Sequence, residues 1–213
     1  MFTTILVFGD SNSYGVWDKE GGWVSRLRKF LETEKRKNYD DFHFVYNLGI
    51  SGNTTKNLIE RFEFETRQRL ESDTDKIIFI FNIGDNDAAF VKSQNSNWVS
   101  LDDFKKNIID LIGLSRKFSK NIIFLGLISE IDEQKVNPWQ DDLDYYVKDL
   151  REYNKELKEI CGKESVIFID VSGELIKESS ENFLDEDGLH LNSQGHQKIF
   201  EIVKESIVEN KII

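Results

Sequence analysis

The sequence predicts an α/β protein with a parallel sheet covered by helices on both faces. Three observations predict it. Apolar runs of strand length alternate with segments whose apolar residues recur at helical spacing, five times over. The runs 5–8, 76–81 and 121–127 are apolar without alternation, as strands covered on both faces are. Runs one to three lead into glycine and small polar residues, the mark of a strand that stops at a tight turn. Strands separated by helices join through right-handed crossovers, which sets them parallel in one sheet.

The elements follow in order. Ile5-Leu6-Val7-Phe8 is the first strand and ends at Gly9-Asp10-Ser11. Trp23, Leu27, Phe30 and Leu31 then mark an amphipathic helix, which the charged run 32–41 ends. Residues 42–46 are the second strand and run into Asn47-Leu48-Gly49-Ile50-Ser51-Gly52-Asn53. Thr54 or Thr55 caps a helix carrying Leu58, Ile59, Phe62 and Leu70. The third strand, 76–81, meets Asn82-Ile83-Gly84-Asp85-Asn86-Asp87. A polar loop with Phe90 and Trp98 leads to a helix over 101–118 and a fourth strand over 121–127. A loop over 128–140, with Pro138 and Trp139, precedes a long helix over 143–161 and a short fifth strand over 166–170. An acidic connector over 172–186 and a helix over 193–208 complete the pattern. No composition shift or internal repeat divides the chain, so one domain over 1–213 is expected.

Composition excludes some functions. The net charge of −11 disfavours nucleic acid and anionic membrane surfaces, both of which are bound through Lys/Arg-rich faces. The single cysteine, Cys161, rules out an intrachain disulfide and reads as a small buried or half-buried helix residue. The first residues lack the basic and long apolar regions of a signal peptide or a membrane span, so a cytoplasmic protein without membrane insertion is expected.

Function is suggested by what gathers at one edge. Ser11, Gly52 and Asn86 follow the first three strands, and a parallel sheet brings the loops after its strands to the same side, where ligands bind. Asp187 and His190 follow the fifth strand and can fold over that edge. Alone, each is ordinary: a cap, a glycine turn, an Asx turn, a paired histidine. Together they outline a site.

A serine hydroxyl needs a base to become a nucleophile. Of the three histidines, His43 reads as a packed strand residue and His196 as a helix-face residue. His190 has Asp187 three residues before it, which on a helical turn would place both on one face. The carboxylate would hold Nδ1–H and leave Nε2 as base. The backbone N–H groups of Ser11 and Gly52 and the side-chain amide of Asn86 are suitable oxyanion donors. Asp85, Asp87, Asp187 and His190 could also ligate a metal. The set lacks a second histidine and a triad explains the same residues, so no metal and no cofactor are expected.

Four stretches now align with a family. Phe8-Gly9-Asp10-Ser11, Ile50-Ser51-Gly52-Asn53-Thr54, Gly84-Asp85-Asn86-Asp87 and Asp187-Gly188-Leu189-His190 resemble, in order, the four sequence blocks of the SGNH (GDSL) hydrolases. The resemblance implies a flavodoxin-like three-layer α/β/α sandwich with a five-stranded parallel sheet. It implies Ser11 as nucleophile, His190 as base and Asp187 as its orienting acid. The oxyanion hole would be Ser11 N–H, Gly52 N–H and Asn86 Nδ2, with ester cleavage through an acyl-enzyme. Asp10 and Asp87 look like supporting carboxylates that tie loop N–H groups. Asn12 stands where the family's name has Leu, so lipase-like specificity is less supported.

The expected partner is a small-molecule ester. Tyr14, Trp17, Phe90, Trp98, Pro138 and Trp139 read as pocket walls or as loop anchors. Asp132, Glu133, Asp141, Asp142 and Asp144 make an acidic rim that favours neutral short acyl or acetylated-carbohydrate esters over anionic ones. Acyl transfer or thioester cleavage at the same site, and a non-catalytic binding module of this fold, remain open alternatives.

Overall fold

In chain order the elements of the computed structural model are β1 (Phe2–Gly9), α1 (Ser11–Tyr14), α2 (Gly22–Lys29), β2 (Phe42–Gly49), α3 (Thr55–Arg67), β3 (Lys76–Asn82), β4 (Phe90–Val91), β5 (Ser96–Asn97), α4 (Leu101–Arg116), β6 (Ile122–Leu125), β7 (Leu143–Asp144), α5 (Val147–Lys163), β8 (Ile167–Ile169), α6 (Val171–Lys177) and α7 (Ser193–Glu209). The structure describes residues 2–34, 42–70, 74, 76–133, 135, 142–177, 183–210 and 212–213. Pro138, Trp139 and Asp141 lie outside these.

The main sheet is parallel, five-stranded and ordered β2-β1-β3-β6-β8. Alternation sorts its side chains by type. Ile5, Val7, Ile78, Ile80, Ile123 and Leu125 face one way and pack with Trp23 and Leu27 of α2, Leu175 of α6, and Ile199 and Val203 of α7. Leu6, Phe8, Phe79, Phe81 and Phe124 face the other way, against Phe62 of α3, Phe104 and Leu111 of α4, and Leu157 of α5. That second face is aromatic, with Phe81 and Phe124 stacked at 4.7 Å between ring centres and Phe8 on Phe62 at 5.1 Å. Burying both faces makes the α/β/α layers and accounts for the unbroken apolar runs.

Register positions the site. Gly9 stands level with Gly49 of β2 and Asn82 of β3, so the three strands end together. Gly9 is required by space, because a Cβ there would lie 2.1 Å from Ser13 Oγ and 2.4 Å from the Asn82 carbonyl oxygen. The chain can then turn at once into α1, whose N-cap Asp10 accepts from Asn12 N–H at 3.1 Å.

Four expectations are corrected. The stretch after β3 is not simply a polar loop: β4 and β5 form a hairpin that pairs antiparallel with β7. Helix α5 accordingly starts at Val147, because Leu143 and Asp144 are taken up in that small sheet. Leu143 and Tyr145, two apart as on a strand, join one cluster with Ala89 and Val91. The connector after β8 opens with helix α6, whose Val171 and Leu175 reach the core. His196 is no face residue but fully buried, and burial lowers its pKa to about 4.

Candidate active site

Ser11 is the first residue of α1 and lies at the carboxyl end of β1, largely buried. Its Oγ is 2.9 Å from His190 Nε2, and His190 Nδ1 is 2.7 Å from Asp187 Oδ2. The three side chains thus form one continuous hydrogen-bonded line across residues 179 positions apart in sequence.

Asp187 and His190 do not meet on a helical turn, as their spacing suggested. Gly188 adopts φ +70°, which turns the chain back. Asp187 Oδ1 accepts the N–H groups of both Leu189 and His190 at 2.9 Å, closing an Asx-type turn. Oδ2 accepts from the His190 ring and from the indole Nε1–H of Trp17, the latter at 2.9 Å. Burial works against the Asp187 charge, but these bonds from the His190 ring and the two amides outweigh it, and the carboxyl sits well below its ordinary 3.8.

Gly52 adopts φ +78°, and a Cβ there would meet no atom within 4 Å apart from its chain neighbours, so the side-chain position is open. Asn86 lies in the turn after β3 and is held from two sides. Its Nδ2 donates to the Asn53 carbonyl at 2.9 Å, and its Oδ1 accepts from Tyr145 Oη–H at 2.8 Å.

The carboxylates behind the site are buried. Asp10 Oδ1 takes the Asn12 amide, while Oδ2 has no hydrogen-bond partner among the described residues. Burial, with Asp85 nearby, raises the Asp10 pKa well above its ordinary value. Asp87 accepts from Thr55 N–H at 2.9 Å and from the Thr55 hydroxyl, which fixes the start of α3. Burial nonetheless pushes its carboxyl up to about 7. Asp85 accepts from Ile128 N–H at 3.1 Å and Asn12 Nδ2 at 3.3 Å, and burial raises it to about 6. Asn12 also accepts from Leu191 N–H at 3.4 Å, so it links α1 to the loop that carries His190. No group of three or more His, Cys, Asp and Glu side chains suited to a metal ion occurs among the described residues.

Trp17 and Tyr14 are half or more exposed beside this site, whereas Phe90 is partly covered and packs edge-on against Tyr146. The acidic residues of the rim are engaged locally: Asp132 with Lys135, Asp144 with Lys92, Asp142 with Ser93, and Glu133 with the Val147 N–H. Sequence reasoning missed Tyr145, the link from Trp17 to Asp187, and Asp85 as an anchor for Asn12. Tyr145 falls within an apparent helix, and only pairing of β7 with β4 brings it to Asn86.

A hydrogen-bonded line of hydroxyl, imidazole and carboxylate can activate a serine hydroxyl for nucleophilic attack. The fold is shared with solved structures. A lipase/acylhydrolase from Enterococcus faecalis is 21% identical, with a TM-score of 0.73 over 97% of this chain and 95% of that one. An acetylxylan esterase from Geobacillus stearothermophilus is 21% identical, with a TM-score of 0.72 over 96% and 93%. A member of the lipolytic G-D-S-L family from Veillonella parvula is 18% identical, with a TM-score of 0.69 over 95% and 97%. No curated protein matches the sequence. The model of the GDSL-like lipase/acylhydrolase family matches residues 5–203, and the chain belongs to that family of carboxylic ester hydrolases.

Proposed function

We propose that the protein is a serine esterase that cleaves short acyl esters of neutral alcohols, including acetylated carbohydrates, through an acyl-enzyme. The observation that carries this reading is the unbroken line from Ser11 Oγ through His190 to Asp187, at 2.9 and 2.7 Å. His190 Nε2 takes the Ser11 proton as Oγ attacks the ester carbonyl carbon. The carbonyl oxygen becomes an oxyanion, held by the N–H groups of Ser11 and Gly52 and by Asn86 Nδ2. The imidazolium, steadied by Asp187, returns the proton to the departing alcohol oxygen, leaving the acyl group on Ser11. Water then repeats the sequence with His190 as base and frees the acid.

Two features support the substrate class. No neighbouring residue fills the place where a side chain would stand at Gly52, which leaves that side of the turn open to a substrate. Tyr14 and Trp17 present exposed rings on which a sugar or short chain can rest, and the structurally similar acetylxylan esterase acts on an acetylated carbohydrate polymer. The test is turnover of p-nitrophenyl acetate and of acetylated xylo-oligosaccharides, with longer acyl chains in parallel. Acetyl esters are expected to be the better substrates, and preference for long-chain esters would contradict the substrate assignment.

A further inference from the structure

Asn86 offers an amide with an acceptor oxygen at one end and a donor nitrogen at the other, so something must decide which end faces the reacting oxygen. The surroundings decide it. The Asn53 carbonyl can only accept, so the amide nitrogen lies on that side, at 2.9 Å. The amide oxygen then faces Tyr145, and the phenol has to donate, at 2.8 Å. These two bonds use the amide oxygen and one of the two amide hydrogens. One hydrogen remains for a substrate.

Tyr145 is suited to this task. It is buried, and burial together with Asp10 and Asp85 raises its pKa above the ordinary 10.0, so the phenol keeps its proton. It follows β7, whose pairing with β4 sets Asp144 opposite Phe90 and Leu143 opposite Val91. Its ring packs with Ala89, Val91 and Leu143. A donor on the amide oxygen also draws electron density from the nitrogen and strengthens its remaining N–H as a donor.

We propose that Tyr145 is a positioning residue for the oxyanion hole, holding the Asn86 amide nitrogen toward the oxygen that becomes charged. This rests on the esterase reading above. The test is a double-mutant cycle with Tyr145→Phe and Asn86→Ala, using p-nitrophenyl acetate and checking each variant's melting temperature. Tyr145→Phe is expected to lower kcat roughly 5- to 50-fold with KM changed less than about twofold. In the Asn86→Ala background the same substitution is expected to change kcat by less than about twofold. An unchanged kcat in Tyr145→Phe, or equal losses in both backgrounds, would overturn the proposal. If Tyr145→Phe does not fold, 4-aminophenylalanine at 145 keeps both the ring and a donor. Retention of kcat within about threefold then supports the proposal, and a loss as large as that of Asn86→Ala overturns it. A wild-type protein without turnover would instead defeat the esterase reading.

Discussion

The indole Nε1–H of Trp17 donates to Asp187 Oδ2 at 2.9 Å, the same oxygen that lies 2.7 Å from His190 Nδ1. Trp17 holds a left-handed backbone conformation, φ 64°, which a bulky residue seldom adopts. The next residue secures it: Asp18 is buried in an ion pair with Arg26 and accepts from Gly22 N–H at 2.8 Å and Ser193 Oγ–H at 2.7 Å. The loop after α1 is thereby fastened to α2 and α7 and presents Trp17 to the carboxylate.

Replacing Trp17 with Phe keeps a ring but removes this donor. Because the side chain is half-exposed, water can supply part of the loss, and kcat/KM is expected to fall only about two- to fivefold. Steady-state kinetics on p-nitrophenyl acetate check this. A loss as large as that of an Asp187 variant would mean that Trp17 does more than share the oxygen.

Asp187→Asn is expected to keep the turn, since an amide oxygen can still accept from Leu189 and His190 N–H. What it cannot do is accept from the ring and Trp17 with its nitrogen. The ring then takes the wrong tautomer, and kcat is expected to fall on the order of 10³- to 10⁴-fold with the fold preserved. Circular dichroism and initial rates measured together separate this from unfolding.

Gly52→Ala tests backbone conformation apart from space. A Cβ there meets nothing within 4 Å, so no clash opposes it, but φ +78° does. The expected cost is about 1 kcal/mol of stability, read by chemical denaturation. A normal stability would mean that the turn relaxes easily.

Asp87 makes stability depend on pH. Burial raises its folded pKa to about 7, from an ordinary 3.8. Between those values the folded chain holds a proton that the unfolded chain has lost, so stability from this group falls as pH rises from about 4 to 7. Asp85, raised to about 6, acts in the same direction over a narrower window. His196 opposes them: its folded pKa is lowered to about 4 from 6.5, so its contribution rises with pH between those values. Asp18 and Asp187 are lowered from 3.8, so their contributions are lost only as pH falls below about 4, outside that window. Asp87→Asn removes one falling contribution and leaves the rest. Relative to wild type, its melting temperature at pH 8 is therefore expected to stand higher against its own value at pH 5. An unchanged difference would show that another group carries the slope.

Much of this architecture is readable in the residues. Both faces of β3 are apolar, Ile78 and Ile80 on one and Phe79 and Phe81 on the other, and that alone requires helices on both sides. The placement of Ser11, Gly52 and Asn86 after β1, β2 and β3 is also readable, because in a parallel sheet loops after successive strands share an edge. The small sheet is not readable. Its strands are two residues each, too short for alternation to register, and β7 pairs with β4 across the intervening α4 and β6. Nor is the Asp187 turn, where side-chain bonds to backbone replace the helix that the spacing suggested. Tyr145 and Trp17 escape for the same reason. Their roles lie in single polar atoms that touch distant residues, and no local pattern records such a contact.

Acylation of Ser11 is the step on which the proposed chemistry rests. Its most direct test is intact-protein mass spectrometry after reaction with a fluorophosphonate, followed by peptide mapping. One adduct per chain is expected, on Ser11, and none in Ser11→Ala or in His190→Ala at the same exposure. An unlabelled wild type, or an adduct on another residue, would contradict it.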